Sequence, residues 1–346
     1  MNCVQGCERL RAVEIRGADV LEVVERSPFA PPQNQVAIEP LIVGVCATDQ
    51  ELLQGSMVYL RQGLTKLPLV PGHEWVGRIL EVGPGVTGLA PGDVVVGECS
   101  IGCGRCPRCW DSNYHQCTAR FETGVMKLDG ALTERMIFPA KATHIVPKGV
   151  NLQDAALTEP LAVALRAVER LEVGNRESVL IVGAGVIGLL AVMILRAEGR
   201  ARPFLLEPSE SRRNRGRDLG ATPVEPGEHR FDRILEASGT ASGVQDALGH
   251  LSNGGRAVLV GLCGLPTVPI NTDALVVGDQ TVIGSLGSPG VWPKALTLLA
   301  EGRVRPSLLI SHQYPLERTA EAFRMACLNP NDVGKVIVMP NGVAHD

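Results

Sequence analysis

The chain has 346 residues, 45% of them hydrophobic and 20% charged, enough for about two packed domains and too apolar for disorder to be its dominant state. Its 33 Lys and Arg stand against 37 Asp and Glu, a formal charge of −4, so no basic surplus exists to grip a phosphate backbone and a nucleic-acid partner is not expected. With 39 Gly, 24 Pro and only 3% aromatics, it reads as a fold of tight turns and close backbone approaches rather than a coiled coil.

Taken in chain order, the opening MNCVQGCERLRAVEIRG has neither the apolar centre nor the cleavage site of a secretory leader, and a cytoplasmic location is expected. Ten cysteines in a reducing compartment are expected to be thiols or metal ligands; Cys3 and Cys7 precede the first recognisable segment, Arg11-Ala-Val. Cys46 follows the apolar run Leu41-Ile42-Val43 in GVCATD. His73 and Glu74 lie in VPGHEW, ahead of the strand-like WVGRILEVG. Singly, these read as a buried thiol and a satisfied histidine.

Between Gly102 and Cys117 the chain reads GCGRCPRCWDSNYHQC, with Cys103, Cys106, Cys109 and Cys117 spaced by two, two and seven residues. Four thiolates on a short loop match a closed tetrahedral zinc site, structural because no position remains for water. An iron–sulfur cluster is the competing metal. Cys99 is left out as a ligand, and His115 is a competitor of Cys117. Glu159, in LTEPLAVALRAVERL, is expected to begin a helix with Pro160 in its first turn.

Val179–Val182 is a continuous apolar run fit for a parallel strand buried on both faces. It leads into Gly183-Ala-Gly185-Val186-Ile187-Gly188 and a helix-like stretch ending near Gly199, followed by a second strand, PFLLE. Strand, glycines, helix and strand in that order specify a dinucleotide site. Gly183 permits the tight turn, Gly185 lets the backbone approach the pyrophosphate, and Gly188 brings helix against strand, with Val186 and Ile187 opening the helix toward the phosphates. Glu207 ends the second strand, where a carboxylate accepts from both ribose hydroxyls and repels a 2′-phosphate, so NAD is favoured over NADP. Arg212 and Arg213, just downstream, are the groups that would attract a phosphate. Residues 222–230 read as a loop. FDRILEAS (231–238), GRAVLVG (255–261) and TVIGSL (281–286) supply further strands alternating with helices, an α/β doubly wound sheet.

Together the GVCATD, GHEW, four-cysteine, TEPLAVAL and GAGVIG segments resemble the zinc-dependent medium-chain dehydrogenase/reductase family, over nearly the whole chain and closest to its polyol, glucose, cyclitol and threonine dehydrogenase branch. The resemblance implies a GroES-like, β-rich catalytic domain over residues 1–159, a Rossmann coenzyme domain over 160–287, and a return of 288–346 to the catalytic domain. It further implies a catalytic zinc held by Cys46, His73 and Glu159, with Glu74 as alternative or exchanging ligand and Asp49 orienting the histidine. Thr48 matches the proton-relay hydroxyl, Glu51 stands where some members carry a relay histidine, and Glu122, in FETGVMKLDG, matches a glutamate that binds sugar hydroxyls. The implied reaction is hydride transfer between a secondary alcohol of a polyol, aldose or (amino)cyclitol, held as a zinc alkoxide, and NAD(P). A threonine 3-dehydrogenase or a simple alcohol dehydrogenase is the alternative, and a non-catalytic nucleotide-binding protein the remote one. No membrane partner is expected; a homodimer or homotetramer is.

Overall fold

The computed structural model describes residues 9–174, 177–199, 201–227, 229–264, 267–328 and 333–342. Cys3 and Cys7 lie outside them. Two compact units form, the first from residues 1–159 with 307–346 and the second from 160–306. The expected return at residue 288 therefore begins later. Residues 288–306 stay with the second unit, where Trp292 and Leu299 of the helix Trp292–Ala300 are buried and Lys294 pairs with Glu169 and Glu198.

The first unit is organised around a 7-stranded sheet in the order Thr143–Ile145, Val94–Gly97, Glu74–Val82, Gln35–Val45, Lys335–Met339, Ile310–Pro315, with Met136–Pro139 also paired to Gln35–Val45. The central strand, QVAIEPLIVGV, is apolar along nearly its whole length because it is covered on both faces. Its register sets the site. Gly44 lies opposite Glu74 on one side, and Val45 lies opposite Val336 on the other. Cys46, Glu74 and Lys335 thus converge at one end of three adjacent strands, although Glu74 and Lys335 are 261 positions apart.

The second unit is a 6-stranded sheet in the order Thr222–Pro223, Pro203–Leu206, Val179–Val182, Phe231–Glu236, Leu251–Leu259, Thr281–Gly284, with every pairing parallel. The order reverses beside Val179–Val182, the crossing point where such sheets bind nucleotides. The segment expected to be loop from 222 holds one short strand, Thr222–Pro223. Two residues suffice for an edge pairing against Phe204 and Leu205, too few to leave a periodic signal. The helix Val186–Glu198 ends at Gly199, which adopts φ +67, as a left-handed C-terminal cap requires.

Candidate active site

In the first unit, ligand atoms of Cys46, His73 and Glu74 all lie within 4.8 Å of one another. Cys46 caps the short helix Ala47–Leu53, whose fully buried Asp49 organises the cluster. Asp49 Oδ2 accepts from the Cys46 backbone N–H at 2.9 Å, and Oδ1 accepts from Gly72 N–H at 3.2 Å and stands 3.5 Å from His73 Nδ1. That arrangement ties both chain segments to one carboxylate and sets it on the Nδ1 side of the His73 ring. Burial opposes charge on His73, but Asp49 and Cys46 override it and hold the imidazole well above its ordinary pKa. A metal bound through the other ring nitrogen would require a neutral imidazole and so displace that proton. Gly44 has no side chain for a reason of space, since a Cβ there would collide with the Glu74 carboxylate.

Lys335, only 4% exposed, donates to Glu74 Oε1 at 2.8 Å, stands 2.7 Å from Oε2, and also donates to Val45 O at 3.1 Å. Glu159 is buried at the start of the helix Thr158–Arg170 and lies outside the 4.8 Å group. Its carboxyl is pushed up to about 7, chiefly by burial; Glu74 adds to the rise, against the pull of His73 and Lys335. Thr48 and Glu51 occupy the same short helix, both half-buried, and burial raises the Glu51 carboxyl against the opposing pull of Arg61.

Glu122 is buried, 5% exposed, on the strand Phe121–Thr123. Arg120 donates through Nε to Glu122 Oε1 at 2.7 Å and through Nη2 to the Tyr59 hydroxyl at 3.0 Å, with the guanidinium 5.6 Å from the Tyr59 ring centre. The strand flanks the His73 segment, because a Cβ at Gly124 would lie 2.8 Å from Gly72 N.

The thiols of Cys103, Cys106, Cys109 and Cys117 form a second group within 4.8 Å. The Cys103–Cys109, Cys106–Cys109 and Cys106–Cys117 sulfurs are 4.0, 3.6 and 3.7 Å apart. A tetrahedron with zinc–sulfur bonds of ordinary length has edges of about 3.8 Å, so the cage fits that ion. His115 is buried next to it, with Nε2 3.3 Å from Gln116 Nε2, and Cys117 completes the group.

In the second unit Gly183 adopts φ +96, and a Cβ there would lie 2.8 Å from Ser238 Cα. Gly185 caps the helix beside open space, whereas a Cβ at Gly188 would collide with the Gly183 carbonyl. Val186 and Ile187 are half-buried in the first helical turn. Glu207 turns back onto the glycine segment: Oε2 accepts from Ala184 N–H at 2.7 Å and Oε1 from Ser209 N–H at 3.0 Å. Lone pairs remain on both oxygens for ribose hydroxyls. Arg213 donates to the Glu207 carbonyl at 2.9 Å, and Arg212 is half-buried in the helix Glu210–Asp218.

Sequence reasoning missed Lys335, Arg120 and Tyr59. A lone lysine opening the apolar run KVIVM was the available signal for the first.

Two family profiles match the chain, the alcohol dehydrogenase GroES-like domain over residues 32–148 and the glucose dehydrogenase C-terminus over 153–338. Sorbitol dehydrogenase of Halalkalibacterium halodurans is 28% identical, over 94% of this chain and 97% of that protein. L-Threonine 3-dehydrogenase of Pyrococcus furiosus is 32% identical, over 92% and 94%. A Sinorhizobium meliloti 1021 structure assigned as a zinc-binding dehydrogenase and bound to NADP superposes with a TM-score of 0.87 at 26% identity, covering 96% of this chain and all of that one. The chain belongs to the zinc-dependent medium-chain dehydrogenase/reductase family. It is an NAD(P)-dependent dehydrogenase of alcohols or polyols. Among the described residues no helix is long and apolar enough to cross a membrane.

Proposed function

We propose that the enzyme oxidises a secondary alcohol of a polyhydroxylated substrate, a polyol, aldose or (amino)cyclitol, with NAD as acceptor and two zinc ions per chain. The observation that carries this reading is the Cys46–His73 pair backed by Asp49, with the buried carboxylate of Glu122 on a strand of a separate 3-stranded sheet whose following residue, Gly124, packs against Gly72. Cys46 and His73 supply two metal ligands and a glutamate the third; Glu159 is our assignment, because Glu74 is occupied by Lys335. When bound, zinc supplies a Lewis acid that lowers the hydroxyl pKa and NAD supplies the hydride acceptor.

The chain's own residues do the rest. Asp49 holds the His73 ring so that one nitrogen faces the metal. Thr48 takes the hydroxyl proton and passes it to Glu51, three positions on along the same helix, whose half-buried carboxyl is raised above its ordinary pKa by burial, which favours its accepting a proton. Glu122 accepts from neighbouring substrate hydroxyls. Gly183, Gly185 and Gly188 shape the pyrophosphate turn with Val186 and Ile187. Glu207 takes the adenosine ribose, which favours NAD over NADP, and Arg212, on the helix that follows, borders the same end of the cofactor. The four cysteines hold a structural zinc.

A second copy of the chain is proposed to pair along Thr281–Gly284, the edge of the 6-stranded sheet, beside Val276 and Val277, which are 80% and 85% exposed, giving a homodimer or homotetramer. The free cysteines favour a reducing compartment such as the cytoplasm.

The test is absorbance at 340 nm with NAD or NADP against polyols, aldoses, cyclitols, threonine and simple alcohols. Reduction of NAD by a polyhydroxylated compound is expected. Turnover of threonine or simple alcohols alone would remove the sugar-like reading of Glu122.

A further inference from the structure

We propose that the four-cysteine lobe is the substrate-recognition element of this enzyme: metal binding there fixes Arg120, and Arg120 fixes the Glu122 carboxylate. The inference rests on the reading of Glu122 and of the four-cysteine cage given above.

The connection is short and continuous. Cys117 closes the cage, and its carbonyl accepts from the Arg120 backbone N–H at 3.1 Å and, more weakly, from Arg120 Nη1 at 3.5 Å. The same guanidinium donates to Glu122 Oε1 and to the Tyr59 hydroxyl. One rigid planar fork therefore spans the last cysteine, the Glu122 strand and the short helix Val58–Arg61.

The cage holds the Glu122 strand from its other side as well. Ser100 pairs with Glu122 and Ile101 with Phe121, and that strand runs directly into Gly102 and Cys103. Glu98 braces the lobe, its Oε2 accepting from the Tyr114 hydroxyl at 2.5 Å and its Oε1 standing 2.9 Å from His144 Nε2. Thr123 N–H donates to Cys99 O at 2.9 Å.

Between Cys103 and Cys117 only the short helical turns Pro107–Trp110 and Tyr114–Gln116 form, with Trp110 69% exposed. Such a loop has little apolar burial of its own, so metal binding is its folding free energy. Released from the cage, Arg120 loses its anchor and Glu122 is left a buried carboxylate without a fixed partner. Arg120 is thus a positioning residue acting through Glu122, and the metal of the lobe a determinant of substrate choice as well as of stability.

The test compares wild type, Arg120→Gln and Cys117→Ser by zinc per chain, by amide hydrogen exchange across residues 120–128, and by kcat/KM for sorbitol against 2-butanol. Arg120→Gln is expected to keep both metals and Cys117→Ser to lose one. In both, the sorbitol-to-butanol ratio of kcat/KM should fall about tenfold through KM. The amides of Glu122 and Gly124, which donate to Met126 O and Leu128 O at 2.8 Å, should exchange at least tenfold faster. Loss of one zinc with unchanged exchange at 122–124 and an unchanged ratio would overturn the inference, as would an Arg120→Gln protein identical to wild type in both readouts. Cys103→Ser repeats the metal arm if Cys117→Ser fails to fold. Failure of wild type to oxidise either alcohol would count against the proposed function, and the exchange arm would still decide this inference.

Discussion

Replacing Glu159 by Gln in metal-free protein isolates the electrostatic cost of the centre. The buried carboxyl titrates at about 7 against an ordinary 4.5. The folded state therefore holds a proton that the unfolded state has released between those values. Stability from this group is full below the lower value, declines as pH rises through the window, and stays lost above it. At about 1.4 kcal/mol per unit of pKa difference, the loss amounts to about 3 kcal/mol at pH 8. Glu159→Gln carries no ionisable group, so the metal-free variant should be more stable than wild type by about that amount at pH 8 and nearly equal to it at pH 4.5. Urea unfolding of both proteins after complete metal removal, followed by tryptophan fluorescence at the two pH values, reads the difference directly. Zinc should invert the ranking at pH 8, because the charge that destabilises the empty centre is the one that binds the ion. A stability difference independent of pH, or a metal-free wild type more stable than the variant at pH 8, would mean that the Glu159 carboxyl is not raised in the folded protein.

Lys335→Met leaves Glu74 buried without its cation and should destabilise the first unit by about 3–5 kcal/mol, with Lys335→Met/Glu74→Gln recovering part of it in the same unfolding assay. Glu207→Ala removes the group expected to repel a 2′-phosphate, so kcat/KM with NAD should fall and the NADP-to-NAD ratio should rise about tenfold or more; an unchanged ratio would take Glu207 out of the ribose contact. Gly188→Ala drives a Cβ into the Gly183 carbonyl, and NADH binding measured by its fluorescence should weaken at least tenfold while zinc content stays at the wild-type value.

Legibility in the sequence followed the distance over which each constraint acts. The four-cysteine cage and the glycine turn are local: spacing places the thiols, and a strand followed by Gly183, Gly185 and Gly188 admits few other structures. Cys46 and His73 were readable only as members of a family pattern, since the register that joins their strands spans the 7-stranded sheet. Lys335 was invisible for the same reason. Its partner lies 261 positions away, and a single lysine beside an apolar strand carries no periodicity. Arg120 was hidden differently, because a loop arginine reads as a solvated charge until its fork is seen to join Cys117, Glu122 and Tyr59. The late return of the chain to the first unit, at 307 rather than 288, reflects the helix Trp292–Ala300, whose buried face packs within the second unit.

If Cys46 and His73 hold a catalytic metal distinct from the one in the four-cysteine cage, the two ions can be removed separately. Zinc per chain, measured by atomic emission on wild type and Cys46→Ser alongside NAD reduction at 340 nm, tests it most directly. Two ions are expected in wild type and one in the variant, with alcohol-dependent NAD reduction lost in step. A variant that keeps both ions, or that loses one and still reduces NAD at the wild-type rate, would contradict that expectation.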